Sequence, residues 1–259
     1  MDQVTNRVKT LYHEEHVMGT VVTFDVYPGE FSDEDLLRES IESAVTILHD
    51  ADDVFSTWKS ESPLSRLRRG EIELDQAPLV VREVLDLCEV ARSLSNGWFD
   101  PWSIPGGVDP TGLVKGWAAQ RALEELHRHA IDGAIVNAAG DVASFGGPNG
   151  SSKFRVGIVN PAKPQTLACI VQSPGAVATS GEYERGQHLY DPFARTLATR
   201  SASATVVSPK LGLADALATA LVIGGRDVLG AIVELQGYEG LIIEPDGSMR
   251  MTPAFPLVR

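Results

Sequence analysis

Residues 109–116 read Asp-Pro-Thr-Gly-Leu-Val-Lys-Gly, and they predict the start of a helix that also carries chemistry. Asp109 is a favourable N-cap, and Pro110 fits the first helical position because its missing N–H costs nothing there. Gly112 removes side-chain bulk from the first turn, and Lys115 adds a positive charge close to the helix start. Free backbone amides, a glycine and a lysine together suit a ligand that bears phosphate. The alternative interpretation is an ordinary capped helix with a solvated lysine.

The segments on both sides of this helix predict an α+β fold. Apolar residues recur at helical spacing over 32–50, 78–94, 213–223 and 228–235, and the helix that starts at Asp109 is expected to run to about His129. Alternating or short apolar runs predict strands at 17–27, 134–138, 154–159, 168–171, 176–179 and 202–207, and a terminal hairpin at 240–244 and 248–252. Because strands and helices follow one another without a regular βαβ period, we expect mixed sheets packed with helices. No linker divides the chain, so one domain is expected over 1–259.

Composition and charge limit the classes of partner. With 259 residues and 43% hydrophobic residues, the chain is long enough to bury a large core without disulfides. Its formal net charge of -13 argues against binding to nucleic acid or to an anionic membrane, since both are polyanionic. A phosphorylated ligand would therefore need local help from a metal ion or from helix N-termini.

The N-terminal segment and the cysteines predict a cytoplasmic protein. Residues 1–16 are polar and charged and lack the apolar stretch of a signal peptide, and no apolar run approaches transmembrane length. Cys88 lies in an apolar helical pattern and Cys169 in a strand-like run, without the spacing of a zinc site. We therefore expect two free thiols in a reducing compartment.

Asp215 and Thr219 are candidate ligands for a divalent cation. They are four residues apart on a predicted helix, so their side chains share one face. A carboxylate and a hydroxyl are hard oxygen ligands that suit Mg²⁺. Alternatively, Asp215 complements the helix dipole and the Thr219 hydroxyl bonds back to a helix carbonyl.

Residues 178–192 contain a second set of polar candidates. Thr179 and Ser180 precede a glycine, where they either contact a ligand or form a plain turn. His188 can act as a general base, or it can be an ordinary surface or core histidine.

Aromatic residues supply the third set. Trp58 follows Phe55-Ser56-Thr57 and can stack on a flat ring, although an aromatic residue is more often part of a core or an interface. Residues 98–100, Trp-Phe-Asp, add aromatic surface and a carboxylate close to the 109–116 helix start.

The order of these blocks resembles that of the FAD:protein FMN transferase family, the ApbE-like flavin transferases. The resemblance covers about residues 18–225 and is carried by MGT at 18–20, FSTW at 55–58, SPLSRL at 62–67, WFDP at 98–101, DPTGLVKGWAAQ at 109–120, VNAAGD at 136–141, ATSGEYER at 178–185, HLYDP at 188–192 and ADALATAL at 214–221. Each motif alone is weak, but the ordered set is fairly specific.

The resemblance implies binding of FAD and Mg²⁺ and transfer of FMN to a threonine or serine hydroxyl of a target flavoprotein, with release of AMP. It implies FAD contacts for Met18, Trp58, Trp98, Phe99, Asp100, Asp109 and Lys115, and a ligand-side turn at Thr179 and Ser180. By the same resemblance, Gly112 offers a backbone carbonyl to the metal, Asp215 and Thr219 form the metal-binding pair, and His188 is the base.

Two segments depart from the family pattern. Ala139-Gly140-Asp141 replaces the usual Gly-Gly-Asp, and residues 193–195, Phe-Ala-Arg, stand where Thr-Gly is usual. The second change lies beside the proposed base, so two alternatives remain open. One is hydrolysis of FAD to FMN and AMP, and the other is a protein that binds FAD without turnover.

Overall fold

One eight-stranded antiparallel sheet organises the part of the chain that the computed structural model describes, which is residues 10–30, 32–147, 154–181 and 189–258. From edge to edge its strands are β1 (Leu11–Val17), β2 (Thr20–Pro28), β3 (Ile131–Ala138), β4 (Asp141–Gly146), β7 (Ala176–Gly181), β10 (Ser203–Ser208), β11 (Glu239–Ile243) and β12 (Met249–Met251). Two hairpins stand apart from it, formed by β5 (Phe154–Asn160) with β6 (Lys163–Ser173) and by β8 (Tyr190–Asp191) with β9 (Thr196–Leu197).

The longer helices form a layer on one face of the sheet. The helices are α1 (Glu34–Phe55), α2 (Pro63–Arg68), α3 (Leu79–Leu94), α4 (Thr111–Leu126), α5 (Leu211–Gly224) and α6 (Arg226–Val233). Helix α4 packs on β3 and β4, α5 packs on β7 and β10, and α1 and α5 both contact α4. Helix α5 is mostly apolar and almost wholly buried, so it is the central helix of this layer.

A second, smaller core covers the opposite face of β7, β10 and β11. Because side chains alternate along a strand, Ala176 and Ala178 face the helices whereas Val177 packs with Ile158 and Val171 of the β5–β6 hairpin. This part of the sheet is therefore buried on both faces. None of the helices in the described ranges is long and apolar enough to cross a membrane.

The predicted α+β class is confirmed, but the first strand differs from the prediction. The expected strand at 17–27 corresponds to β2, and a further strand that was not predicted, β1, precedes it and is joined to it by a turn at Met18 and Gly19. In β1 the inward-facing residues include His13 and Glu15, which an apolar pattern does not detect. Glu15 accepts a hydrogen bond from His49 of α1, with 2.9 Å between Nε2 and Oε1, so a polar contact replaces apolar packing there.

Candidate functional site

A cavity of ≈ 630 Å³ opens at one end of the sheet, within the range of about 300–1,000 Å³ that is usual for ligand pockets. The twelve residues that the sequence assigns to FAD or the metal all line it: Met18, Trp58, Trp98, Phe99, Asp100, Asp109, Gly112, Lys115, Thr179, Ser180, Asp215 and Thr219. His188, the predicted base, lies outside the described residues. The next two residues, Leu189 and Tyr190, line the cavity.

Two tight hairpin turns form part of the cavity wall. The β1–β2 turn has φ values of 53° at Met18 and 69° at Gly19, and the β3–β4 turn has 51° at Ala139 and 91° at Gly140. Two-residue turns with positive φ at both positions match the twist of the strands that they join. Met18 and Ala139 adopt this left-handed conformation although a side chain disfavours it, so the strain lies at the cavity.

The start of α4 corrects one detail of the sequence prediction. The helix begins at Thr111 with Pro110 in the capping position, so Asp109 lies one residue before the cap. Asp109 still satisfies the first helical amide, because its Oδ1 accepts from the Thr111 N–H at 3.1 Å, and its Oδ2 pairs with Arg68 at 2.7 Å. Its conformation is thus fixed from both sides.

Most of the amides at this helix start are already used. Besides Thr111, the amides of Leu113 and Val114 both donate to the Pro110 carbonyl, at 2.9 and 3.1 Å. Within the described ranges, the Gly112 amide has no acceptor. A Cβ at Gly112 would lie 3.2 Å from Phe99 Cε2, so glycine also keeps this wall close to the aromatic ring. The expected set of free amides is therefore reduced to one.

Lys115 lies between two buried carboxylates. Its ammonium forms an ion pair with Asp141 Oδ2 and lies 3.4 Å from Asp215 Oδ2. Asp141 also accepts a hydrogen bond from the Thr179 amide at 2.9 Å, so the carboxylate joins β4 to β7. Sequence reasoning assigned no role to Asp141, because its partners are distant in the chain.

Asp215 is fixed by a backbone contact between helices. The Gly116 amide donates to Asp215 Oδ2 at 3.0 Å. A Cβ at Gly116 would lie 2.8 Å from the Leu211 carbonyl oxygen and 2.9 Å from Asp215 Cβ. Glycine at 116 therefore allows α4 and α5 to approach closely enough for this hydrogen bond.

Hydroxyl groups from β7 contact hydroxyl groups on α5 and β10 near the cavity. Thr219, one turn after Asp215, lies 3.2 Å from the Ser180 hydroxyl, and the Thr179 hydroxyl lies 2.9 Å from that of Thr205. No group of three His, Cys, Asp or Glu side chains in the described part of the chain is arranged to hold a metal ion. One carboxylate with hydroxyl and carbonyl oxygens would instead suit a hard cation that keeps water or phosphate oxygens among its ligands.

The aromatic residues form two different kinds of wall. Trp98 and Phe99 are buried, and a Cβ at Gly224 would lie 2.7 Å from Trp98 Cδ2. Arg200 lies over the Trp98 ring at 4.4 Å. Trp58 lines the cavity but is 95% exposed, so its ring has a free face for stacking.

The segment that departs from the family pattern forms a closed turn against this wall. Asp191 Oδ1 accepts from the amides of Phe193 and Ala194 at 2.8 and 2.9 Å, and Arg195 adopts a positive φ of 56°. The Phe193 ring packs against Trp98 with 4.6 Å between ring centroids. The altered segment therefore contacts the cavity wall at Trp98.

A further cation at the cavity was missed in the sequence. Lys59 lines the cavity and pairs with Asp52 at 2.5 Å and with Asp53 at 2.7 Å. Hydrogen bonds to these two carboxylates raise the pKa of Lys59. Asp52 and Asp53 lie in the last turn of α1, which ends at Phe55, and Lys59 lies beyond that end, so helical spacing does not indicate the contact.

Comparison with known proteins gives consistent matches over this fold. The model of the ApbE family matches residues 18–106 and 103–242. The FAD:protein FMN transferase of Rhodobacter capsulatus is 32% identical over 156 residues, which is 56% of this chain and 30% of that protein. The protein of the same name from Treponema pallidum is 30% identical over 165 residues, 55% of this chain and 45% of that one. The matches thus span less than half of these relatives' length.

A solved structure supports the fold. The ApbE protein of Thermotoga maritima superposes with a TM-score of 0.82 at 20% identity, covering 95% of this chain and 98% of the other. At this identity the likeness concerns the fold alone.

Proposed function

Since this chain belongs to the ApbE family, we propose that it transfers FMN from FAD to a threonine or serine hydroxyl of an acceptor flavoprotein and releases AMP. The observation that carries the proposal is the convergence in one cavity of all the described residues that the motifs assign to FAD and the metal. These residues lie on six separate parts of the chain, and their meeting follows only from the fold.

The phosphate groups of FAD have two complementary partners. The Gly112 amide has no acceptor within the described ranges, and the Lys115 ammonium lies one turn further along α4. Both groups favour an anion, and both lie on the cavity wall. In an acidic protein with net charge -13, the Lys115 ammonium, which also pairs with Asp141 and Asp215, offsets only part of the repulsion that a pyrophosphate would meet, so a bound cation would supply the remaining positive charge.

The donor set fits Mg²⁺ bound together with the substrate. We assign Asp215, Thr219 and the Gly112 carbonyl as its protein ligands, because hard oxygen donors with one carboxylate suit Mg²⁺ that retains water and phosphate ligands. The Gly116 amide donates to Asp215 Oδ2 and so helps to hold this carboxylate in place beside α4. When bound, Mg²⁺ would neutralise charge on the pyrophosphate oxygens.

The aromatic walls suit the two ring systems of FAD. The exposed Trp58 ring offers a stacking surface at the rim, and Trp98 and Phe99 offer rigid apolar surface inside the cavity. Met18 adds a polarisable side chain from the β1–β2 turn.

The transfer step needs a base for the acceptor hydroxyl. The hydroxyl oxygen forms a bond to the FMN phosphorus, the pyrophosphate P–O bond breaks, and AMP leaves with the electron pair. We assign the proton of the hydroxyl to His188, in line with the family motif and with the position of Leu189 and Tyr190 at the cavity. General-base assistance is typically worth about 10²–10⁴-fold in rate.

The test is incubation of the purified chain with FAD, MgCl₂ and a recombinant flavoprotein domain that carries the acceptor hydroxyl. AMP release together with an FMN-sized mass gain on the acceptor supports transfer. AMP with free FMN would indicate hydrolysis instead, and bound, unchanged FAD would indicate a binding protein. The altered turn that packs on Trp98 is the feature that makes these two alternatives worth separating.

Two variants test the assigned roles. His188→Ala is expected to bind FAD almost as wild type does but to lose transfer by about 10²-fold or more. Asp215→Ala is expected to require much more Mg²⁺ for activity. Full transfer by the first variant, or an unchanged Mg²⁺ dependence of the second, would remove that residue from the proposed site.

A further inference from the structure

We infer that Asp141 is a positioning residue. It holds the Lys115 ammonium between two carboxylates and so weakens the ion pair between this ammonium and the Asp215 carboxylate. The inference rests on the proposed function, because it concerns Asp215 as a ligand of the divalent cation. It adds a residue to which the motifs give no role.

The contacts of Asp141 exclude a direct role with the ligand. Asp141 is 1% exposed, and it is not among the residues that line the cavity. Its Oδ1 accepts from the Thr179 amide, and its Oδ2 forms an ion pair with Lys115. Among the described residues, Oδ2 accepts no hydrogen bond of good geometry, so this oxygen depends on the ammonium for its stabilisation.

Lys115 is shared unequally between its two carboxylates. It is in close ionic contact with Asp141 and 3.4 Å from Asp215 Oδ2. Attraction between charges falls with distance, and both carboxylates are almost completely buried, where screening by water is weak. The lysine stem is flexible, so the position of the ammonium follows from the balance between the two anions.

Removing the charge of Asp141 would shift this balance toward Asp215. In Asp141→Asn the amide oxygen can still accept from the Thr179 N–H, but the NH₂ group that replaces Oδ2 repels an ammonium. Lys115 would then pair more closely with Asp215. A divalent cation competes with the ammonium for that carboxylate, so its binding would weaken.

The experiment measures Mn²⁺ binding to the full chain by the EPR signal of free Mn²⁺, without FAD and with FAD present. The variants are D141N, the double variant D141N/K115M, and E34Q as a control. Glu34 is an exposed partner of Arg38 on α1, so E34Q removes one negative charge from an ion pair outside the cavity. The double variant is used because K115M alone leaves a buried carboxylate unpaired and can prevent folding.

We expect D141N to weaken Mn²⁺ binding about tenfold, the scale on which one member of a close charge pair acts. In the absence of FAD, where the contact of Lys115 with FAD plays no part, D141N/K115M is expected to bind Mn²⁺ at least as tightly as wild type, because the competing ammonium is gone, and E34Q is expected to match wild type. A purely structural role of Asp141 would instead weaken D141N and the double variant alike.

The outcomes separate this inference from the proposed function. If wild type binds Mn²⁺ and D141N binds it equally well, the inference is wrong and the metal site stands. If the double variant is as weak as D141N, Asp141 does not act through Lys115 and the inference is also wrong. If wild type binds no Mn²⁺ under either condition, the Mg²⁺ site of the proposed function fails, and the inference fails with it.

Discussion

Replacing Gly116 by alanine should destabilise the protein, although the same change in most helices stabilises them. Gly116 lies inside α4, where alanine would normally gain about 1 kcal/mol in helix propensity. Here the new Cβ would lie 2.8 Å from the Leu211 carbonyl oxygen and 2.9 Å from Asp215 Cβ. Neither atom is the end of a flexible side chain, so α4 and α5 must separate.

The size of the effect follows from three contributions. Overpacking costs about 1–3 kcal/mol. Loss of the 3.0 Å hydrogen bond from the Gly116 amide to the Asp215 carboxylate costs about 1.5–3 kcal/mol more if it breaks. The gain in helix propensity offsets about 1 kcal/mol. We therefore expect the free energy of unfolding of G116A to fall by about 1.5–5 kcal/mol.

Equilibrium unfolding in urea, followed by circular dichroism, measures this change. Gly230 provides the matched control, because it lies inside α6 and a Cβ there would have no neighbour within 4 Å. G230A should gain up to about 1 kcal/mol. If G116A is as stable as wild type while G230A gains stability, the close approach of α4 and α5 does not limit the residue at 116, and the reasoning fails.

Four further predictions concern single residues. Ala139→Gly should raise the free energy of unfolding by about 0.5–1 kcal/mol in a urea titration, since φ is 51° there; a less stable variant would show that the turn tolerates alanine without strain. Burial raises the pKa of Asp25, so the folded state favours the neutral form of this carboxyl group. The stability that Asp25 contributes is therefore present below its pKa in the unfolded state and is lost as the pH rises through its pKa in the folded state. Asp25→Asn should thus be more stable than wild type at pH 7 and lose that advantage near about pH 3, and equal stability at both pH values would contradict the burial effect. Burial also raises the pKa of the Cys88 thiol to about 12, so this thiol should react with Ellman's reagent only after unfolding, and rapid reaction of both cysteines in the native protein would disprove it. Trp58→Ala should leave the free energy of unfolding within about 0.5 kcal/mol of wild type, because the side chain is 95% exposed, but should weaken FAD binding about tenfold by fluorescence titration; unchanged affinity would remove Trp58 from the site.

The periodicity of apolar residues in the sequence was sufficient to locate the helices and strands that have a clear apolar face. Helices α1, α3 and α5 and strands β2, β7 and β10 lie within a few residues of their predicted positions, because apolar spacing there reflects packing on the core. Strand β1 was missed because its inward face carries histidine and glutamate that bond to each other and to α1. Polar pairing of this kind leaves no apolar alternation to detect.

In the candidate site, too, some features could be predicted from the sequence and others could not. Residues within recognisable motifs, such as Lys115 and Asp215, were found and lie together at the cavity. The contact of Asp141 with Thr179 was not predictable, because it joins residues 38 positions apart through strand pairing. The start of α4 was misplaced by one residue, since Pro110 itself occupies the capping position. The role of His188 stays a prediction.

The contact of Lys115 with Asp141 and Asp215 also bears on how the protein folds. It joins segments separated by up to 100 positions, and such non-local contacts form late because closing long loops costs conformational entropy. The binding-competent cavity therefore exists only in the completed native state. A ligand that binds there must shift the folding equilibrium, by about 2.7 kcal/mol at a concentration one hundred times its dissociation constant. If FAD binds in this cavity as proposed, it would also stabilise the native state of this chain.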